Sequence, residues 1–193
     1  MTIENQREYF NNTCEKWKEI PEEKGVIINK AINLLGISEG QSVLDVASGT
    51  GVLYTVLKNM RLSNYVALDI SENMLKELEL LYPEVKTICD DFDKDMDLEE
   101  KFDYILIFNS IPHFENLNIV FSNAKKHLKI GGTFAIVHTK TRKELKEHHK
   151  RIGYTLGREA IPNDDTLCTL IKKYEFRELI VRDYDFFYFS CKR

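Results

Sequence analysis

Three groups of residues in this chain have types and spacings suited to chemistry. The first lies in "VLDVASGTGVL" (43–53), where an apolar run ends in Asp45 and two glycines, Gly49 and Gly51, follow. A buried strand has no ready place for a carboxylate, and glycines let a backbone turn sharply and approach a ligand without a Cβ in the way. The pattern predicts a ligand-binding loop over Ala47, Ser48, Gly49, Thr50 and Gly51. Asp45 would repel phosphate at close range, so the loop is expected to meet an amino group or a positive charge. The second group is acidic: Asp69 ends another apolar run, and Asp90 and Asp91 precede Phe92. The third is His113, His138 and His149, whose imidazoles, with an ordinary pKa near ~6.5, serve as bases, hydrogen-bond donors or metal ligands.

Other loop chemistries fit less well. A dinucleotide fingerprint, GxGxxG, needs a third glycine where Tyr54 stands, and a phosphate loop needs a lysine that the chain lacks there. The alternating acids of "DDFDKDMDLEE" (90–100) resemble a calcium loop, but the sixth position is Met96 or Leu98 instead of glycine. The twelfth is Phe102 or Tyr104 instead of glutamate, so the stretch reads as a solvated loop.

The elements that must position these residues follow from periodicity. Strands are expected at 42–46, 65–69, 84–89, 103–109 and 132–139, and two more within 178–192 joined near Asp183–Asp185. Helices are expected at 24–35, 51–60, 71–82 (with Ser71 as N-cap), 116–128, 142–151 and 163–174. Strands alternating with helices imply an α/β, doubly wound, seven-stranded and mostly parallel sheet with helices on both faces. The last two strands are too close for a crossover helix, so the final one is expected to be antiparallel. In such a sheet ligands sit beyond the carboxyl ends of the strands, near the first.

The 193 residues, 43% of them apolar, fit a single domain spanning 1–193. The net charge of −4 argues against nucleic acid as the main partner. The basic stretch 140–151 reads as a solvated helix face, or as a surface that attracts an anionic substrate. No apolar run approaches a membrane span. Cys14, Cys89, Cys168 and Cys191 show no CxxC spacing, which reads as reduced thiols in a cytoplasmic protein.

The glycine loop resembles the first motif of the class I S-adenosylmethionine-dependent methyltransferases. "VALDIS" (66–71), "TICDDF" (87–92), "FDYILIFNSIPHF" (102–114) and "LKIGGTFAIVH" (128–138) resemble the later motifs in order. Within that class the chain is most similar to the type 11 branch, related to ubiquinone and menaquinone methyltransferases. The resemblance implies a Rossmann-like fold and S-adenosyl-L-methionine as cofactor. It places Asp45 and the 47–51 backbone on the methionine end and Asp69 on the ribose. Asp90 or Asp91 falls on the adenine amine, with Ile70 and Phe92 flanking the ring and Asn109 closing the site. It further implies that residues 1–23 form a lid holding Phe10 and Trp17 over the cofactor.

The methyl acceptor is expected to be a small molecule, because the core fold and a short lid account for nearly the whole chain. Its identity and the oligomeric state are not legible. His127, beside Lys125, Lys126 and Lys129 at a helix end, reads as a structural cation. His113 and His138 end neighbouring strands, with His149 on the helix that follows, so all three are expected near the acceptor. Three roles stay open for them: a base or orienting group, a three-histidine metal site, or imidazoles satisfied by backbone. The competing functions are a non-catalytic cofactor-binding or metal-sensing protein on the same scaffold, and, less well matched, a nicotinamide-dependent reductase.

Overall fold

A computed structural model describes residues 3–17 and 22–193. Met1, Thr2 and residues 18–21, all within the expected lid, lie outside the described residues. Seven strands form one sheet: β1 (Ser42–Val46), β2 (Asn64–Asp69), β3 (Lys86–Cys89), β4 (Phe102–Phe108), β5 (Leu128–His138), β6 (Arg177–Asp183) and β7 (Phe187–Lys192). Their spatial order is β3-β2-β1-β4-β5-β7-β6. β1 to β5 are parallel, and β7 runs antiparallel to both β5 and β6. The order reverses between β1 and β4, which makes the carboxyl ends of those two strands the switch point.

The helices are α1 (Ile3–Thr13), α2 (Glu22–Leu35), α3 (Tyr54–Leu57), α4 (Glu72–Leu81), α5 (Leu117–His127), α6 (Arg142–Ile152) and α7 (Asp164–Lys173). Their ends follow local chemistry. The Ser71 hydroxyl accepts from Met74 N at the start of α4. Thr141 and Glu144 form a capping box on α6, which Gly153 terminates in the left-handed conformation. The helix expected over 51–60 shrinks to α3. Gly51 has φ +89° and cannot join a helix, while Met60 N tightens onto Leu57 O and Arg61 turns left-handed at φ 48°.

Every residue of β1 is buried, so its alternation feeds two cores. Leu44 and Val46 join one with Ile105, Phe134 and Phe121 of α5. Val43 joins the other with Tyr65, Leu75 and Leu78 of α4, and Ile28 of α2. Among the described residues no helix is long and apolar enough to cross a membrane.

Candidate active site

A cleft opens at the carboxyl ends of β1, β2 and β4, with an empty volume of about 1070 Å³ counting its mouth. Ala47, Ser48, Gly49 and Thr50 form its floor. Ala47 (φ 56°) and Asn109 (φ 57°) both hold the left-handed backbone that non-glycine residues rarely adopt, one at each side of the switch point. Asn109 is fixed there: its Oδ1 accepts from Thr139 N at 2.7 Å, and its own N–H donates to Val137 O at 2.8 Å.

Asp69 organises the loop. Its Oδ2 accepts from Gly49 N and its Oδ1 from Ser71 N, both at 2.8 Å. Burial pushes its pKa up, and the backbone donors partly offset this. Each carboxylate oxygen has a second lone pair left for a ligand hydroxyl. Ile70, Asp90, Asp91 and Phe92 line the same wall. Two buried atoms on lining residues have no hydrogen-bond partner: Ser48 Oγ and Asp91 Oδ2. Lys94 Nζ stands 3.6 Å from the latter. Such orphans are rare in folded proteins and mark places where a ligand supplies the missing partner.

Several expectations need correcting. Asp45 is not among the cleft-lining residues. It is 1% exposed, its Oδ2 accepts from Tyr65 Oη at 2.5 Å, and it faces the second core. Burial, with the Asp69 charge adding to it, raises its pKa to about 7 against the Tyr65 hydrogen bond. Gly51 also lies off the cleft; a Cβ there would come within 3.1 Å of Leu78 Cγ, so this glycine serves packing under α4. The 90–100 stretch is not uniformly solvated. Asp91 and Asp93 are buried, and Asp93 accepts from Glu115 N and Asn116 N at 2.5 and 2.9 Å.

Of the histidines, only His113 lines the cleft. Burial holds its pKa down at about 4, with the charges of His149 and Arg158 adding to the effect. His138 is 6% exposed and lies behind the lining; burial likewise lowers it to about 4. Lys140 N donates to its Nδ1 at 2.9 Å, so the neutral ring carries its proton on Nε2. His149 is half-buried and packs against Tyr154 at 4.9 Å between centroids. Among the described residues no three histidine, cysteine or carboxylate groups are placed to share a metal ion, which leaves the three-histidine metal reading without a geometry. His127 is buried, and burial lowers its pKa, so it is not the helix-end cation expected. Leu98 N donates to its Nε2 and its Nδ1 faces Asn123 O, each at 2.9 Å.

The N-terminal segment closes the mouth. Gln6, Phe10 and Trp17 line the cleft. Arg7 Nε donates to Ile70 O at 3.1 Å, and Thr50 Oγ1 donates to Trp17 O at 2.8 Å. The Ser71 hydroxyl donates to Asn11 Oδ1 at 2.7 Å. The sequence reading missed Asp93 and Arg158. Alternation of Asp91 and Asp93 about Phe92 was a signal for the first. Arg158 sits in an irregular stretch with no local pattern to mark it.

A glycine loop after β1, an acid closing β2 and a further acid after β3, on a 3-2-1-4-5-7-6 sheet, define a class I S-adenosylmethionine-dependent methyltransferase domain. The chain belongs to the methyltransferase-domain family, whose model matches residues 37–180. Magnesium protoporphyrin IX methyltransferase of Synechocystis, solved with S-adenosylhomocysteine, superposes with TM-score 0.74 at 17% identity over 99% of each chain. A possible histamine N-methyltransferase of Thermotoga maritima gives 0.74 at 18%, again over 99% of each. Phosphoethanolamine N-methyltransferase 2 of Haemonchus contortus gives 0.69 at 18% over 86% of this chain. The chain spans about half (52%) of that enzyme's length. No curated protein sequence matches the chain.

Proposed function

We propose that this protein transfers a methyl group from S-adenosylmethionine to a small-molecule acceptor. The carrying observation is that Asp69, the 47–50 loop and the unpaired Asp91 oxygen converge on one cleft whose far end is closed by His113. Asp69 is suited to the ribose hydroxyls, Asp90 and Asp91 to an adenine amine, and Ile70 and Phe92 to the ring faces. Ala47 to Thr50 offer backbone groups to the methionine end, with Asn109 beside them. Several carboxylates around the cleft complement a ligand that carries ammonium and sulfonium charges. When bound, this cofactor supplies a methyl carbon on a positively charged sulfur.

The protein's own contribution is alignment and exclusion of water. Phe10 and Trp17, with ring centroids 6.3 Å apart on the cleft wall, provide aromatic faces that attract a sulfonium. Residues 1–23 act as the lid in this reading. His113 orients the acceptor from the β4 end, while His138 and His149 support it from behind. Kinship with the type 11 branch belongs to the same proposal. Structural neighbours named for ethanolamine-phosphate and porphyrin substrates support a small-molecule acceptor.

The test is calorimetric titration with S-adenosylhomocysteine, followed by product detection across a panel of acids, phenols, thiols and amines. Binding with a methylated product is expected. Binding without any product identifies a non-catalytic cofactor-binding protein, and absence of binding overturns the reading.

A further inference from the structure

The charges around the acceptor end are of one sign. Those acting on His113 come from His149 and Arg158, and those acting on His138 from Lys140, His149 and His113. Arg158 is central to this arrangement. Its Nε donates to Phe114 O at 3.1 Å, its Nη2 to Ile111 O at 2.7 Å and also to Phe114 O. Its Nη1 donates to Glu159 O at 2.6 Å and Ala160 O at 3.4 Å. All five guanidinium N–H groups are therefore engaged. The side chain pins the turn Ile111–His113 from behind and delivers a fixed positive charge without reaching into the cleft. The acids nearest Arg158 are Asp93 and Glu115, and both Asp93 oxygens are already committed to backbone N–H groups.

We propose that the acceptor is a small organic acid that reacts through an anionic oxygen, held at the His113 end of the cleft under the positive potential of Arg158. This rests on the methyltransferase reading above. An acid arriving as its anion uses an oxygen lone pair to form the O–C bond to the methyl carbon while the S–C bond breaks onto sulfur. The two opposite charges cancel, no proton is released and no base is required. A neutral amine would instead leave a positive charge and a proton at this end. His113 and His138, held uncharged by burial, are weak acceptors for that proton and no carboxylate acts on either. Phe10 and Phe114 give the same end an apolar surface suited to the acid's hydrocarbon part.

Phenylacetate and phenethylamine, matched in size and opposite in charge, are titrated calorimetrically into the protein with and without S-adenosylhomocysteine. Phenylacetate is expected to bind at least about tenfold tighter. The preference is expected to persist in Arg158→Lys, which keeps the charge, and to vanish in Arg158→Gln, which keeps hydrogen-bonding groups without it. Equal or tighter binding of the amine, absence of binding by both at millimolar concentration, or an unchanged preference in Arg158→Gln overturns the proposal. Failure to bind S-adenosylhomocysteine overturns the cofactor reading separately, since the acid–amine comparison on the free protein still decides this one.

Discussion

The Phe10 ring meets the His113 imidazole edge-on across the cleft, 5.1 Å between centroids at an interplanar angle of 87°. One residue comes from the N-terminal helix and the other from the turn after β4, so this contact closes the acceptor end. An edge-to-face pair contributes about 0.5–1.5 kcal/mol beyond area burial. Phe10→Ala is expected to weaken S-adenosylhomocysteine binding by roughly three- to tenfold while leaving the melting temperature nearly unchanged. Calorimetry and thermal denaturation check this; unaltered affinity would show that α1 does not act as a lid.

Asp69 holds the loop and faces the cleft at once, so its loss should register twice. In Asp69→Ala, Gly49 N and Ser71 N lose their acceptor. Stability is expected to fall by about 1–3 kcal/mol in urea denaturation. Affinity for S-adenosylhomocysteine is expected to fall about tenfold or more. A folded variant with undiminished affinity would remove Asp69 from the ribose site.

Asp91 should behave differently, because only its Oδ1 is used within the protein, accepting from Asp93 N at 3.0 Å. Asp91→Asn keeps that oxygen and replaces the unpartnered one. Stability is expected to stay within ~0.5 kcal/mol, the usual range for a change that breaks no buried contact. Cofactor affinity is expected to drop roughly tenfold, as for a lost hydrogen bond to a charged group. If stability fell and affinity did not, Asp91 would be a structural acid.

Asp45 predicts a pH dependence of stability and none of cofactor binding. Its folded pKa of about 7 lies above the ordinary 3.8, so the fold favours the neutral form. That contribution is complete below pH 3.8 and disappears as pH rises through about 7. Asp45→Asn stays neutral and keeps an oxygen for the Tyr65 hydroxyl. Relative to this variant, the native protein should lose on the order of 1–4 kcal/mol between those limits. Asp69 and Asp93, also shifted upward, are present in both proteins and cancel in the comparison. Parallel stability curves in chemical denaturation across pH would contradict the assignment.

What the amino-acid sequence determined by itself is mostly local. The apolar runs of β1, β2 and β4, the Ser71 cap of α4 and the Asn163 cap of α7, whose side chain accepts from Thr166 N, are set by neighbours a few residues apart. Asp69, closing one such run, could be placed on the cleft from the strand end alone. The antiparallel sense of β7 followed from the short link to β6. Its insertion between β5 and β6 did not, because that depends on pairings such as Phe134 with Cys191 and Val181 with Phe189. Only the tertiary structure decided where Asp45 points. A strand buried on both faces carries no polar alternation to distinguish them, and the partner that claims the carboxylate, Tyr65, is twenty residues away. The same holds for Arg158, whose carbonyl partners Ile111 and Phe114 lie 47 and 44 residues away, on a turn that meets it only when the chain is folded.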